Sequence, residues 1–180
     1  MGYLGKIREP GEPPRSRDPR TSRDERARLR AQLNLPSDRY LIGYSGKLNR
    51  GKGVDHLIAA LPLILKRQHA AHLVLIGGGA HQSLSQEHAL RAMVRDAGLE
   101  DRVTFTGYVQ NVPEYLRSLD VFVLPTEHEG FSFTILEALA CGAPVVTFDH
   151  PPLNEAGVRE AVLAIEQPSA ETLFTAMRDL

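Results

Sequence analysis

Two glutamates eight positions apart, Glu129 and Glu137, stand in a segment whose flanks are suited to aiming them. Before them, Asp120-Val121-Phe122-Val123-Leu124 is a short apolar run that reads as a buried strand. After the first, Phe131 to Cys141 carries apolar residues at helical spacing, Gly142 ends the helix, and Ala143 to Phe148 returns to strand. The order strand, polar loop, helix, strand puts Glu129 beyond the carboxyl end of a strand, where open α/β sheets bind ligands. Glu137 follows about two helical turns later. Both are expected to face one ligand, although exposed helical glutamates at this spacing also occur simply as a solvated face. In Glu129-Gly130-Phe131-Ser132-Phe133 the helix amino terminus is expected to offer the N–H groups of Phe131, Ser132 and Phe133 to phosphate or sugar oxygens.

A second segment, Gly46-Lys47-Leu48-Asn49-Arg50-Gly51-Lys52-Gly53, follows a predicted strand and opens a predicted helix. A glycine-rich turn at a helix amino terminus presents unpaired backbone N–H groups. With the charges of Lys47 and Lys52 added, a diphosphate is a natural guest between Gly46 and Gly51. The segment partly fits the phosphate loop of nucleotide triphosphatases, but Gly53 stands where that chemistry needs a Mg²⁺-binding hydroxyl. Two further glycine loops, Gly77-Gly78-Gly79 and Gly107-Tyr108-Val109, follow predicted strands and lie on the same sheet edge. The seven histidines show no metal-ligand spacing with cysteines or carboxylates, so no metal is expected, while His128 and His150 fall in loops near the predicted cleft.

The elements that must hold these residues alternate. Strands are predicted at Tyr40–Ser45, His72–Ile76, Val103–Thr106, Val121–Leu124, Pro144–Phe148 and Ala161–Ile165. Helices are predicted at Val54–Arg67, Gln82–Ala97, Val112–Ser118, Phe131–Ala140 and Ala170–Leu180. Six strands in such alternation predict an α/β fold, a Rossmann-like, doubly wound parallel sheet with right-handed crossovers. Residues 39–180 make one domain, and 180 residues leave no comfortable room for two.

Residues 1–38 differ, with four prolines from Pro10 to Pro19 and eight arginines from Arg8 to Arg30 interleaved with acids. They read as an Arg/Pro-rich solvated linker or the remnant of an inter-domain segment, helical only from Asp24 to Leu33. A formal charge of −1 and 42% hydrophobic residues give no argument for nucleic acid. Cys141 stands alone, which suits a reducing, cytoplasmic setting, and neither a signal peptide nor a membrane-spanning run is visible.

Glu129-Gly130-Phe131, Leu136-Glu137-Ala138 and Cys141-Gly142-Ala143-Pro144-Val145-Val146 resemble, in register, the E-x7-E signature of the group-1 (family 4) retaining glycosyltransferases of the GT-B fold. Gly46 to Gly53 is similar to that family's Gly-Arg-x-x-x-x-Lys-Gly element, with Lys52 on the family lysine and Lys47 in place of the arginine. Ser132 stands where many relatives have glycine. Phe148-Asp149-His150-Pro151-Pro152-Leu153-Asn154-Glu155 departs from the family's Gly-Gly-x-x-Glu element, exchanging flexible glycines for two prolines.

The resemblance covers residues 27 to 180 and implies the carboxyl-terminal, donor-binding half of a hexosyltransferase. Such an enzyme moves a sugar from a nucleotide diphosphate sugar to an acceptor with retention, using no metal or other cofactor. It implies that Glu137 holds the ribose, that Lys47 and Lys52 stabilise the leaving diphosphate, and that Glu129 contacts the transferred sugar. It further implies that Gly107, Tyr108 and Val109 line the base pocket, with Gly130, Phe131, Ser132 and Phe133 beside the phosphates. The implied partners are a nucleotide sugar and an amino-terminal acceptor domain or its equivalent, with an acceptor at a membrane periphery compatible. Nothing in the chain corresponds to that acceptor domain or to the family's closing helix after Leu180. Two alternatives stand beside this reading: a nucleotide-sugar-binding module without turnover, and a sugar-nucleotide epimerase of the same fold.

Overall fold

The structure, a computed structural model, describes residues 21–79, 85–126, 132–149, 153, 158–166 and 169–178. In chain order it runs α1 (Arg23–Gln32), β1 (Tyr40–Ser45), α2 (Val54–Leu65), β2 (Ala71–Ile76), α3 (Glu87–Asp96), β3 (Val103–Gly107), α4 (Val112–Ser118), β4 (Val121–Leu124), α5 (Phe133–Ala140), β5 (Val145–Phe148), β6 (Leu163–Ile165) and α6 (Ala170–Arg178). The six strands form one sheet in the order β3-β2-β1-β4-β5-β6, every neighbouring pair parallel. This is the doubly wound α/β sheet that the alternation predicts. Strand order reverses direction at β1, and the crevice between the carboxyl ends of β1 and β4 is the ligand position of such sheets.

Parallel strands covered by helices on both faces are apolar throughout rather than alternating. All of β2, β4 and β5 is buried, as is β1 beyond Tyr40. In register, Ile42 sits between Leu73 of β2 and Val121 of β4. Tyr44, Phe122 and Phe148 are the largest fully buried side chains, and α2 contributes Leu57, Ile58, Leu61 and Ile64 from one face. Right-handed crossovers on either side of β1 divide the helices into two groups. The α2 helix packs on α3 and α6, and α4 packs on α1 and α5.

Several boundaries differ from the sequence expectation. The third helix begins at Glu87 rather than Gln82: Ser85 pairs with Asn49 in an antiparallel bridge, and residues 82–84 lie outside the described ones. The α2 helix stops at Leu65, because the N–H groups of Arg67 and Gln68 both turn back to the Ile64 carbonyl. Pro144 has no N–H to add to a ladder, and β5 starts one residue later, although the Pro144 carbonyl accepts from Phe122 N–H at 2.8 Å. A 3₁₀ turn over Arg159–Ala161 delays β6 to Leu163.

Residues 1–20 lie outside the described part, but residues 22–38 are not the solvated linker expected of them. Ser22 caps α1 by accepting from Glu25 N–H at 3.1 Å, and Leu29 is buried. Arg30 is only 6% exposed. It donates to the carbonyls of Ser118 (2.9 Å) and Arg39 (3.0 Å) and to Asp120 Oδ2 (2.8 Å). Arg26 holds the other Asp120 oxygen at 3.0 Å, and Asp120 also accepts from Leu41 N–H at 2.7 Å. A second ion pair joins Glu25 to Arg117 of α4. These arginines therefore lock α1 onto the amino edge of β1 and β4, opposite the switch-point crevice.

Candidate functional site

Backbone contacts bring the first glycine loop to the middle of the carboxyl edge. Gly46 extends β1 by donating to the Ile76 carbonyl at 2.9 Å, and Gly77 extends β2 by donating to the Gly107 carbonyl at 3.0 Å. Leu48 N–H reaches the Gly78 carbonyl (3.4 Å), and Gln86 N–H reaches the Leu48 carbonyl (2.8 Å). On the other side, Thr126 Oγ1 donates to the Gly51 carbonyl at 3.2 Å. The loop from 46 to 53 is thus stitched to the glycine loop after β2, which is itself tied to Gly107 at the end of β3, and to the segment after β4.

Two glycines are required by this closeness. Gly77 has φ +117°, and a Cβ there would lie 2.2 Å from the Gly46 carbonyl oxygen. Gly53, the N-cap of α2, has φ +67°, and a Cβ would lie 1.7 Å from the Pro125 carbonyl oxygen. In both cases the obstacle is backbone, which cannot swing aside as a side chain can.

Lys47 is exposed at the rim, its carbonyl fixed by the hydroxyl of buried Tyr44 at 2.8 Å. Lys52 is half-buried, its N–H closing a turn on the Asn49 carbonyl (3.3 Å) two residues before α2 starts. Gly51 is exposed with φ +81°, and Gly107 ends β3 with φ +67°. Tyr108 is 86% exposed, whereas Val109 turns inward to pack against the core. Ser132 is the N-cap of α5, and its hydroxyl does not cap the helix. Phe133, the first helical residue, is 70% exposed. Glu137 lies on the exposed side of α5, while Ile135 and Ala138 face the core.

Glu129, Gly130 and Phe131 lie outside the described residues, as do His128 and His150. The structure therefore brings Gly46, Lys47, Gly51, Lys52 and Gly107 to one edge, with Ser132 and Phe133 opening the helix that follows β4. Sequence reasoning missed two residues that hold this edge together, Tyr44 and Thr126. Thr126, three positions before Glu129, had the clearest signal, a buried hydroxyl between a strand and the acidic loop.

Titration behaviour sets one residue apart from the site. His72, near the amino end of β2, is 5% exposed with Nε2 2.8 Å from Thr104 Oγ1. Burial, then the charges of Arg39 and Arg102, push its pKa down to about 4, against a weaker pull from Asp101. It is a neutral core histidine at the opposite end of its strand from the glycine loop. Among the described residues no group of three His, Cys, Asp or Glu side chains could hold a metal ion. No described helix is long and apolar enough to cross a membrane.

Comparison with known proteins places this arrangement in a family. The sequence profile of the family described as Glycosyl transferases group 1 matches residues 39–180. A lipopolysaccharide core biosynthesis mannosyltransferase of Rhizobium meliloti is 33% identical over 131 residues, 73% of this chain and 37% of its own length. The GDP-mannose-dependent alpha-(1-6)-phosphatidylinositol monomannoside mannosyltransferase of Mycobacterium tuberculosis is 32% identical over 170 residues, 86% of this chain and 41% of its own. The crystal structure of Anabaena HepE in complex with UDP shares the fold with a TM-score of 0.76, at 24% identity, over 88% of this chain and 43% of that one. The chain spans 37% and 41% of the length of the two curated relatives. A profile match over the whole sheet, carried on the Rossmann-like half of the GT-B fold, means that this chain belongs to the group 1 glycosyltransferases.

Proposed function

We propose that residues 39–180 are the donor-binding domain of a retaining hexosyltransferase, holding a nucleotide diphosphate sugar across the carboxyl edge of β1, β3 and β4. The observation that carries this reading is the stitching of the Gly46–Gly53 loop to the loop at Gly77, itself tied to Gly107, and to Thr126, beside Lys47 and Lys52. A glycine loop opening a helix, with two lysines beside it, suits phosphates better than a bulky apolar ligand. The GDP-mannose dependence of the mycobacterial relative and the UDP held by the Anabaena protein support the donor class.

In this reading Lys47 and Lys52 face the diphosphate, where negative charge grows as the glycosidic bond breaks, so they act on the transition state more than on the ground state. No metal is required for that charge to be met. Glu137 accepts hydrogen bonds from the ribose hydroxyls, one exposed turn into α5. Glu129 contacts the transferred sugar, Gly130, Phe131, Ser132 and Phe133 lie along its phosphates, and Gly107, Tyr108 and Val109 border the base. An amino-terminal acceptor domain completes the enzyme, and the reaction takes place in the cytoplasm, a compartment that suits a sequence with a single cysteine.

Amide chemical-shift mapping by NMR tests this placement. Adding GDP or UDP to the labelled chain is expected to shift Gly46, Lys52, Gly107 and Glu137 together. Shifts confined to the β6–α6 side or to α1 would overturn it.

A further inference from the structure

One side-chain chain on the β2–β3 flank has no part in the contacts described so far. Glu87, in the first turn of α3 and with its side chain 18% exposed, reaches back to the glycine loop, where its Oε2 accepts from Gly79 N–H at 2.9 Å. Its other oxygen is gripped by Arg91 one turn later, through Nε at 3.0 Å and Nη2 at 2.8 Å. The Arg91 guanidinium in turn lies over the ring of Phe105, 4.2 Å from its centre. Phe105 is two residues before Gly107 in β3. The relay thus begins on the glycine loop after β2 and ends at the root of the loop proposed to border the base.

These two loops nearly touch. A Cβ on Gly78 would lie 3.5 Å from Glu87 Oε2 and 3.8 Å from both the Gly107 Cα and the Tyr108 nitrogen. Small changes in how Gly79 is held therefore change the width between Gly78 and Gly107-Tyr108. A charge-assisted bond from a backbone N–H to a carboxylate is stronger than a neutral one, and the two N–H groups of Arg91, both on Oε1, leave Oε2 turned to Gly79.

We propose that Glu87, oriented by Arg91 on Phe105, is a positioning residue that sets the width of the nucleoside pocket, and so the affinity for the nucleoside part of the donor, without touching the diphosphate. This rests on the donor reading above. Glu87→Ala removes the acceptor for Gly79 N–H, whereas Glu87→Gln keeps a carbonyl oxygen for that bond and gives up the charge together with the oxygen that Arg91 holds.

Titration of the full chain with GDP, UDP and inorganic pyrophosphate, alongside Gly79 amide exchange in the ligand-free protein, tests the proposal. Glu87→Ala should weaken the better nucleoside diphosphate about tenfold and leave pyrophosphate within about twofold, while Glu87→Gln recovers most of the loss. Arg91→Met, which leaves Glu87 in place but unbraced, should fall between them. Gly79 exchange should accelerate in Glu87→Ala and not in Glu87→Gln. Equal weakening of diphosphate and pyrophosphate, or an alanine variant indistinguishable from wild type, would overturn the positioning role. Unchanged Gly79 exchange in Glu87→Ala would overturn the anchor whatever binds. A wild-type chain that binds neither GDP nor UDP, with Gly79 exchange responding as expected, would locate the failure in the donor reading and not in the anchor.

Discussion

Lys52 is half-buried two residues before a helix starts, so its charge acts at short range on whatever occupies the loop. Replacing it with alanine should weaken a nucleoside diphosphate about tenfold or more, while the bare nucleoside changes little, and the remaining affinity should depend less on salt. Calorimetry at two ionic strengths reads both effects, and equal losses for the two ligands would assign the lysine to the fold instead. His72 shows what a titratable group does when it serves the fold. Its pKa is lowered from 6.5 to about 4, so the unfolded chain takes up a proton first as pH falls. Its neutral form contributes fully above pH 6.5, and stability is then lost progressively between pH 6.5 and 4, by up to about 3 kcal/mol. Chemical denaturation across that window should show the slope, and His72→Gln should flatten it.

Among the elements, the β1–α2 loop bears the most constraint. Gly53→Ala combines a left-handed backbone with a Cβ driven into the Pro125 carbonyl, and neither can relax without parting the loop from the segment after β4. It should cost more than about 1 kcal/mol in denaturant midpoint and also lower nucleoside diphosphate affinity. Retained affinity in a folded variant would mean that this contact does not shape the site. Strand positions such as Tyr40–Ser45 and Val121–Leu124 were legible because strands buried on both faces leave continuous apolar runs. The glycine loops were legible because they sit between a strand and a helix. The docking of α1 was not: nothing local to Arg26 and Arg30 announces an aspartate at position 120, and an arginine-rich segment looks solvated until its partner is known. Glu87 escaped notice for the same reason, since its tie to Gly79 depends on a turn whose path the sequence does not spell out. Ser85 was drawn into a predicted helix by apolar spacing, whereas its bridge to Asn49 arises only when two loops meet.

At the scale of the molecule, one parallel sheet carries the glycine loops on its carboxyl edge, and the chain spans 37% of its Rhizobium relative. A transferase that must orient two substrates and exclude water depends on surfaces facing each other across a cleft. Residues 1–180 alone should therefore bind donor yet transfer sugar slowly. Efficient transfer to a defined acceptor, assayed with a panel of nucleotide sugars, would mean that this chain or an assembly of its copies supplies the acceptor site. The central claim is narrower, that the edge built by Gly46, Lys52, Gly107 and α5 holds a nucleoside diphosphate with Glu137 on its ribose. Calorimetric titration of wild type and Glu137→Ala with GDP, UDP and ADP tests it most directly. At least one diphosphate should bind wild type with one-to-one stoichiometry, and the alanine variant should bind it more weakly by ~1.5–3 kcal/mol. Wild type silent toward all three, or an affinity that Glu137→Ala leaves untouched, would contradict the account.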